Sequence, residues 1–397
     1  MYTYVLKWLT AFSIIVLVGC GQLEQNLPSD VEMNEETNVD HENEEEVRSE
    51  GVEESLERLK VHFIDVGQAD ATLFEYSAEG EDYRILFDAG HWMEEDLVHY
   101  LQVNDIEYID IMVGSHPHAD HIGQMDLILE AMDVSEVWMS GDIATSQTFL
   151  RVMEAIEASG ADYHEPRAGE VYDVGPLEIE ILNPDQLTGD VHEGSISAMF
   201  TYGDTRFVLT GDAEKQTEEA MIKRGYELDA DVLQLGHHGS STSTIPAFLQ
   251  AVNPSVAIIS AGKDNQYGHP HREVVERVSD AGVEMYATFV HGTIVVESDG
   301  ETLQIRTEKD GDVNPSNQQQ AEIEGEPLEE QVVESDCINI NEATIDLLQE
   351  INHIGEERAE ALMELRPFES MEDLRRINGI GDGRLTDIIN EGIACVR

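Results

Sequence analysis

Short segments rich in β-branched and aromatic residues predict strands early in the folded part of the chain, at residues 61–64, 71–76 and 84–87. Alternating apolar and polar residues around turn sequences predict two β-hairpins, with turns at residues 202–205 and 299–300. Segments with helical periodicity lie between them, for example residues 214–223 and 272–281. Strands mixed with helices in this way predict an α/β or α+β domain with a sizeable core.

A dense run of potential metal ligands follows one predicted strand, in the order His116-Pro117-His118-Ala119-Asp120-His121. The strand covers residues 109–115, and a helical segment that opens with Gly123 follows the run. The ends of strands are where α/β sheets usually carry their chemistry. Imidazole and carboxylate groups without a nearby thiolate suit zinc, manganese or iron. The run therefore predicts a metal centre, with a histidine-rich surface loop as the alternative.

The His-x-His-x-Asp-His pattern in this context resembles the metallo-β-lactamase superfamily. Further motifs follow the same order as in the hydrolase domain of ComEC-type competence proteins: FIDVGQAD at 63–70, LFDAG at 86–90, LTGD at 209–212, GHHGS at 236–240 and YGHPH at 267–271. The resemblance covers about residues 59–307. It implies a four-layer αβ/βα sandwich that uses two divalent metal ions, zinc or manganese.

The resemblance also implies which side chains hold the metals. His116 and His118 would bind the first ion, and Asp120 and His121 the second. The remaining expected ligands are Asp212 as a bridge, His237 in the second site with His238 as its rival, and His192 as third ligand of the first ion. ComEC-type sequences often carry Asn at the place of His192, so this histidine is either a ligand or incidental.

Three aspartates are expected to support the metal loop from beneath: Asp65, Asp70 and Asp88. The alternative for each is a turn aspartate. The implied reaction is attack on phosphorus by a metal-activated hydroxide, with Asp120 as a central catalytic residue.

Other side chains are expected to meet the substrate. His269 is the candidate proton donor or phosphate contact, and His271 is the second choice. Ser240 and Ser241 could bind a phosphate oxygen, or cap the following helix instead.

The N-terminus predicts a lipoprotein signal peptide over residues 1–19. Lys7 precedes a short apolar core at residues 9–18, and the sequence LVGC at 17–20 resembles a bacterial lipobox. The resemblance implies lipidation of Cys20 and a location on the extracellular face of the cell membrane. A plain signal peptide and an uncleaved anchor are the alternatives. Residues 20–58, with 14 acidic residues and two arginines, predict a disordered acidic linker.

A second linker is predicted at residues 308–336, followed by a small helical domain at 337–397. Two segments of this domain, at 351–359 and 377–385, resemble the tandem helix-hairpin-helix motifs of ComEA-type DNA-binding proteins. The residues implied to contact DNA backbone phosphates are Gly355, Arg358, Gly379, Gly381 and Arg384, with Arg375 and Arg376 nearby.

Two features of this domain depart from that pattern. His353 stands where the first hairpin usually has a glycine. The domain carries 13 acidic and 6 basic residues, a net charge of -7, whereas DNA modules are normally basic. A protein–protein module is the alternative.

The cysteine count predicts one disulfide. If Cys20 carries lipid, Cys337 and Cys395 remain at the two ends of the helical domain. An oxidising exterior favours a bridge between them, and two free thiols are the alternative.

The whole chain is strongly acidic, with 83 acidic against 22 basic residues and a net charge of -61. Such a charge repels nucleic acid over most of the surface. The motifs nevertheless predict an extracellular, membrane-anchored phosphodiesterase, specifically a sequence-independent DNA nuclease without a nucleotide cofactor. The alternatives are a phosphodiesterase of cell-wall phosphocholine or teichoic acid and a non-catalytic DNA receptor for competence. A β-lactamase would leave the C-terminal domain without a role.

Overall fold

A computed structural model describes residues 56–144, 146–265, 267–313, 338–341, 343, 348, 351–391 and 394–396. The predicted signal peptide, Cys20, nearly all of the acidic linker, most of the second linker and Cys337 lie outside the described residues. Among the residues described, no helix combines the length and apolar character needed to cross a membrane.

The strands are, in chain order, β1 (Leu59–Phe63), β2 (Thr72–Ala78), β3 (Glu81–Phe87), β4 (Tyr108–Gly114), β5 (Asp133–Met139), β6 (Asp162–His164), β7 (Val171–Val174), β8 (Leu177–Asn183), β9 (Ser197–Tyr202), β10 (Thr205–Leu209), β11 (Val232–Gln234), β12 (Val256–Ile259), β13 (Glu284–Ala287), β14 (Ile294–Ser298), β15 (Leu303–Thr307), β16 (Ile338–Asn339) and β17 (Ala394–Cys395). The helices are α1 (Asp96–Val103), α2 (Met125–Ala131), α3 (Gln147–Ser159), α4 (Lys215–Arg224), α5 (Pro246–Val252), α6 (Arg272–Asp280), α7 (Thr288–His291), α8 (Glu356–Glu364) and α9 (Asp382–Glu391). Short 3-10 helices cover His237–Gly239 and Met371–Arg376.

Two large sheets make up the hydrolase domain. The first has the spatial order β15-β14-β1-β2-β3-β4-β5-β6, and the second has the order β13-β12-β11-β10-β9-β8-β7. In each sheet one end is antiparallel and the other parallel: β3 to β6 run parallel in the first sheet, and β10 to β13 in the second. The carboxyl ends of the parallel strands are the places where loops can gather functional side chains.

The two sheets face each other across a buried aromatic core. Phe74 of the first sheet stacks on Phe200 of the second, with ring centroids 4.2 Å apart. A second apolar cluster packs α1, α2 and α3 on the outer face of the first sheet, and a third packs α4, α5 and α6 on the second. Helices therefore cover both outer faces, and the predicted four-layer αβ/βα sandwich is confirmed.

Local sequence explains where several elements begin and end. The side chain of Ser146 accepts a hydrogen bond from the amide of Phe149 at the start of α3. Gly160 ends that helix with a φ of 77°, a left-handed conformation that glycine adopts without steric cost. The predicted hairpin at 202–205 is present, because Tyr202 of β9 pairs directly with Thr205 of β10.

The C-terminal unit has its own small core. Two hairpins repeat the same turn, in which the amide of Ile354 donates to the carbonyl of Ile351 and that of Ile380 to Ile377. All four isoleucines are buried. Each hairpin leads into a helix, α8 or α9, so the unit has the helix-hairpin-helix form expected from its sequence.

Strands β16 and β17 join the two ends of this unit in parallel, with Ile338 opposite Ala394. Cys395 is disulfide-bonded. Its predicted partner Cys337 lies outside the described residues, so the pairing stays a prediction.

Candidate metal centre

The histidine-rich loop leaves the carboxyl end of β4 and is bound tightly to the segment after β3. The amide of Ala89 donates to the carbonyl of His121 at 2.6 Å, and the amide of Gln124 donates to the carbonyl of Ala89 at 2.9 Å. Gly123 lies against this segment so closely that a side chain there would meet backbone atoms. The backbone of the loop is therefore held in place independently of any bound ion.

Four side chains from three segments form a first group: His116, His118, His192 and Asp212. Their potential ligand atoms all lie within 4.8 Å of one another. The Nε2 of His116 is 2.9 Å from the Nδ1 of His118 and 3.7 Å from Asp212 Oδ2. Nitrogens that share one tetrahedral zinc ion at ~2.0–2.1 Å would lie about 3.3 Å apart, so these spacings fit one divalent ion. The structure thus brings His192 to the place expected of a third ligand.

A second group shares Asp212 with the first: Asp70, His121, Asp212 and His238. The Nε2 of His121 lies 3.2 Å from Asp212 Oδ1, the oxygen that the first group does not approach. One carboxylate thus faces both groups, one oxygen to each. Asp120, expected as a ligand of the second ion, lies beside this group, with its Oδ2 3.2 Å from His238 Nε2.

His238, and not His237, belongs to the second group. Both residues have left-handed backbone conformations, with φ of 51° and 53°. Two consecutive residues of this kind reverse the chain within the His237–Gly239 turn and send the second side chain inward. His238 is buried, and its Nδ1 lies 3.0 Å from the carbonyl oxygen of Ser260, which leaves Nε2 facing the centre. The expectation that His237 completes the second site is therefore corrected.

Asp88 orients His121, as its position beneath the loop predicted. It is fully buried and has a φ of 62°, an uncommon conformation that persists only when the surroundings hold it. Its carboxylate accepts the amide of Ser115 at 2.7 Å and lies 2.8 Å from His121 Nδ1. A proton on Nδ1 leaves His121 Nε2 for the metal side.

His116 is oriented by two serines that the sequence motifs did not single out. The Oγ atoms of Ser115 and Ser195 lie 3.1 and 3.4 Å from its Nδ1. Ser195 also accepts a hydrogen bond from the amide of Asp212 at 3.1 Å. Ser115 and Ser195 thus position His116, and Ser195 also fixes the backbone of the shared aspartate.

The sequence predicted Asp70 as a support beneath the metal loop. The structure places it within the second group itself. Gln234, at the end of the apolar strand β11, donates to Asp70 Oδ1 at 2.8 Å. A lone amide in an otherwise apolar strand is the signal that could have identified Gln234. Asp65, by contrast, faces away from both groups, with its carboxylate 3.8 Å from the Nζ of Lys309.

The pKa values of the histidines differ between the two groups. Burial lowers the pKa of His118 to about 3 and holds the pKa of His116 well below its usual value, so both rings are neutral at pH 7, the form in which an imidazole can bind a metal. Burial would also lower the pKa of His121, but Asp212, Asp88 and Asp120 outweigh it and raise the pKa well above 6.5. Excess carboxylate around His121 marks the second group as a site for positive charge.

A small cavity opens over the shared carboxylate, lined in part by Asp120, Asp212, His237 and His269. His237 faces it, with Nε2 3.6 Å from Asp212 Oδ2. Burial, together with His238 and His237, lowers the pKa of His269 to about 3, so its ring is neutral near pH 7 and carries one N–H. His269 thus lines the same cavity as Asp212, and its contact with a phosphate stays a prediction.

His271 and Ser240, the other two candidates for phosphate contact, each make a hydrogen bond within the protein. His271 accepts a hydrogen bond from the amide of Ser241 at 2.8 Å through its Nδ1. The Oγ of Ser240 lies within its own turn, 3.0 Å from the hydroxyl of Thr242. These contacts hold the loop after His238 in shape, and contact with a substrate phosphate stays a prediction for both residues.

In the C-terminal unit two arginines converge on the second hairpin. Arg384 donates to the carbonyl of Gly379 at 2.7 Å, and Arg358 donates to that of His353 at 3.1 Å. A Cβ on Gly379 would lie 3.1 Å from Arg384 and 3.3 Å from Arg358, so both guanidinium groups meet there. His353 takes the left-handed conformation of the missing glycine, with a φ of 66°.

The backbone around both hairpins is open. Nothing in the described structure lies within 4 Å of a Cβ built on Gly355 or Gly381. Gly355 and Gly381 thus have open space on their Cβ side, whereas Gly379 is covered by the two arginines. Contact of these residues with DNA stays a prediction.

Two sheets with helices on both outer faces, and two histidine and aspartate groups joined by one carboxylate, define a class of metal-dependent hydrolase folds. Residues 64–263 match the model of the metallo-beta-lactamase superfamily, and the chain belongs to that superfamily. Residues 333–390 match the model of the helix-hairpin-helix motif.

Curated relatives match parts of this chain. It is 29% identical over 253 residues to ComE operon protein 3 of Bacillus subtilis, covering 59% of this chain and 32% of that protein. It is 31% identical over 254 residues to Recombination protein 2 of Haemophilus influenzae, covering 62% and 30%. A Deoxyribonuclease of Thioalkalivibrio is 43% identical over 81 residues, covering 19% and 22%. The chain thus spans a third or less of the length of these relatives. The resemblance to competence proteins inferred from the motifs is confirmed.

Proposed function

We propose that this protein is a metal-dependent phosphodiesterase that cleaves DNA. The observation that carries the proposal is Asp212, which faces two groups of ligands with its two oxygens beside an open cavity. A helix-hairpin-helix unit in the same chain supports DNA as the substrate. Two matched relatives, one named a recombination protein and one a deoxyribonuclease, point the same way.

The donor set fits two divalent ions such as zinc or manganese. His116, His118 and His192 would hold one ion, and Asp70, His121 and His238 the other, with Asp212 between them and Asp120 beside the second. When bound, such ions supply an activated water and neutralise charge on phosphate oxygens.

The protein's own groups then do three things. Asp88 and Ser260 hold the tautomers of His121 and His238 through their Nδ1 atoms. His237 and His269 line the cavity, where a neutral imidazole N–H can donate to a phosphate oxygen. Ser115 and Ser195 hold the ring of His116 through its Nδ1.

The hairpins would hold the DNA strand through its backbone phosphates, independently of sequence. The converging guanidinium groups of Arg358 and Arg384 make a local positive site on an otherwise acidic unit. We further propose that a lipid on Cys20 holds the protein on the extracellular face of the cell membrane.

A chelator test decides the main proposal. Wild-type protein with added manganese or zinc should cleave plasmid DNA and bis(p-nitrophenyl) phosphate, and EDTA should abolish both activities. Metal re-addition should restore them, because the loop backbone is held without the ions. Hydrolysis of the small diester without any DNA cleavage would favour a different phosphodiester, such as a cell-wall polymer.

A second prediction concerns the hairpins. The double variant Arg358→Gln/Arg384→Gln should raise KM for long DNA and leave kcat on bis(p-nitrophenyl) phosphate unchanged. Each lost phosphate contact lowers the slope of log affinity against log salt by about 0.9. The slope for long DNA should therefore fall by roughly 2. KM measured between low and moderate salt gives this slope.

The matched control removes two arginines from the hydrolase surface, in the variant Arg151→Gln/Arg306→Gln. These side chains pair with Asp126 and Glu297. The control makes the same change in net charge away from the hairpins, so its slope should stay at the wild-type value. Equal slopes for both double variants would contradict DNA binding at the hairpins.

A further inference from the structure

A second, larger cavity adjoins the candidate metal centre. The space directly over the two groups is about 10 Å³, room for one water-sized group. The neighbouring cavity is about 330 Å³, within the ~300–1,000 Å³ of sites that bind small molecules. Gln68, Asp120 and Tyr267 line both spaces, so the two lie side by side. The body of a substrate whose phosphate reaches the metal centre can therefore lie in the larger cavity.

Part of the wall of the larger cavity is aromatic and apolar. Trp92 lines it and stacks on His91, with ring centroids 3.9 Å apart at an angle of 27°. Tyr267 lines it and stacks on His269, at 5.5 Å and 21°. Met363 of α8 contributes a thioether from the helix-hairpin-helix unit. Flat rings and a polarisable sulfur are the groups that pack against a planar heteroaromatic ligand.

Two buried hydrogen-bond donors in these walls lack a partner among the described residues: the indole Nε1 of Trp92 and the amide Nε2 of Gln68. The Oε1 of Gln68 accepts the amide of Gly262 at 2.9 Å, which holds the side chain in one orientation. Both donor atoms are themselves shielded from the cavity, so the choice of ligand rests on the rings and charges of the wall.

The charge of the cavity wall limits which kind of ligand can bind there. The carboxylates of Asp120 and Asp264 also line the cavity. They disfavour a second phosphate there, because like charges repel in a partly enclosed site. A neutral planar ring, which describes a nucleobase, fits the aromatic side chains and the charge of the wall together.

We infer that this cavity binds one nucleobase, unstacked from its neighbours, next to the phosphodiester at the metal centre. The inference rests on the proposed function and specifies its substrate. A base enclosed between Trp92 and Met363 cannot remain stacked in a duplex. The substrate is therefore a single strand, or a duplex from which one nucleotide is turned out.

Helix α8, which carries Met363, is bound to the hydrolase domain by hydrogen bonds. Glu364, the residue after Met363, accepts the amide of Gln147 at 3.2 Å and the hydroxyl of Thr148. Tyr267 packs against the core of the helix-hairpin-helix unit. The unit that would hold the strand thus also closes the base cavity.

Three esters with one leaving group test the inference: methyl p-nitrophenyl phosphate, and the p-nitrophenyl esters of thymidine 5′-phosphate and thymidine 3′-phosphate. They differ in whether a base is present and on which side of phosphorus it lies. Wild-type protein with manganese should show a KM for one thymidine ester roughly 5- to 150-fold below that of the methyl ester, the range expected for one base stack.

Trp92→Ala should bring this ratio close to one and leave hydrolysis of the methyl ester unchanged, whereas Trp92→Phe should keep most of the ratio. Tyr108→Ala is the matched control, since Tyr108 is a half-exposed aromatic at the opposite end of β4 and should keep the full ratio. An unchanged ratio in Trp92→Ala, or a wild-type protein without preference for either thymidine ester, overturns the inference.

If none of the three esters is hydrolysed, the proposed function fails, and binding alone decides the base site. Thymidine 5′-monophosphate should quench tryptophan fluorescence of the wild-type protein but not of Trp92→Phe. Absent quenching, or equal quenching in both proteins, overturns the base site.

Discussion

Replacement of Asp212 by alanine should remove hydrolysis of both DNA and bis(p-nitrophenyl) phosphate. Asp212 is buried, and its two oxygens face two different groups of potential ligands. Its loss therefore weakens both metal sites at once. The fall in kcat/KM should exceed the ~10–100-fold that follows the loss of a residue that only orients a ligand.

The measurement is kcat/KM on the small diester, together with metal content by mass spectrometry after dialysis. Circular dichroism of the chelated protein checks that the fold survives. The matched control is Asp65→Ala, because Asp65 faces Lys309 and not the ligand groups. Asp65→Ala should keep wild-type metal content and turnover. An Asp212→Ala protein that keeps both would rule out a shared ligand at this position.

Gly123→Ala should destabilise the hydrolase domain by roughly 3 kcal/mol or more, at the upper end of the usual cost of overpacking. A Cβ there would lie 2.5 Å from the carbonyl oxygen of Ala119 and closer still to backbone atoms of Gly90 and Trp92. Backbone atoms on three sides cannot move aside as a side chain would. The metal loop must shift as a whole, and metal binding should be lost with it.

Thermal unfolding followed by circular dichroism measures this effect, and about 3 kcal/mol corresponds to a fall of about 6–12 °C in Tm for a domain of this size. Gly383→Ala is the control, because Gly383 lies in α9 with nothing within 4 Å of a Cβ. Alanine in a helix interior should be neutral or slightly stabilising there. Equal Tm values for the two variants would contradict the close packing described for the loop.

Much of the architecture could be predicted from local sequence. Apolar periodicity predicted β1 to β4 and the helices α4 and α6, since burial of one face imposes that spacing wherever the element finally packs. The motif order predicted the superfamily, and the repeated hairpin sequences predicted the helix-hairpin-helix unit. The contact of Asp65 differs from expectation, because it depends on Lys309, a residue from a distant segment.

The sequence by itself determined which side chains are available near strand ends, because the loop from 116 to 121 holds four of them within six residues. Tertiary structure decided between His237 and His238, since two left-handed residues in succession set the direction of each side chain. It also placed Asp70, 50 residues before Asp120, in the second group, where the side chain of Gln234 donates a hydrogen bond to its carboxylate. The larger cavity beside the metal centre forms where Trp92 and Met363 come together from segments far apart in the chain. Local patterns encode propensity and burial, whereas the convergence of distant side chains depends on how the two sheets and the C-terminal unit pack.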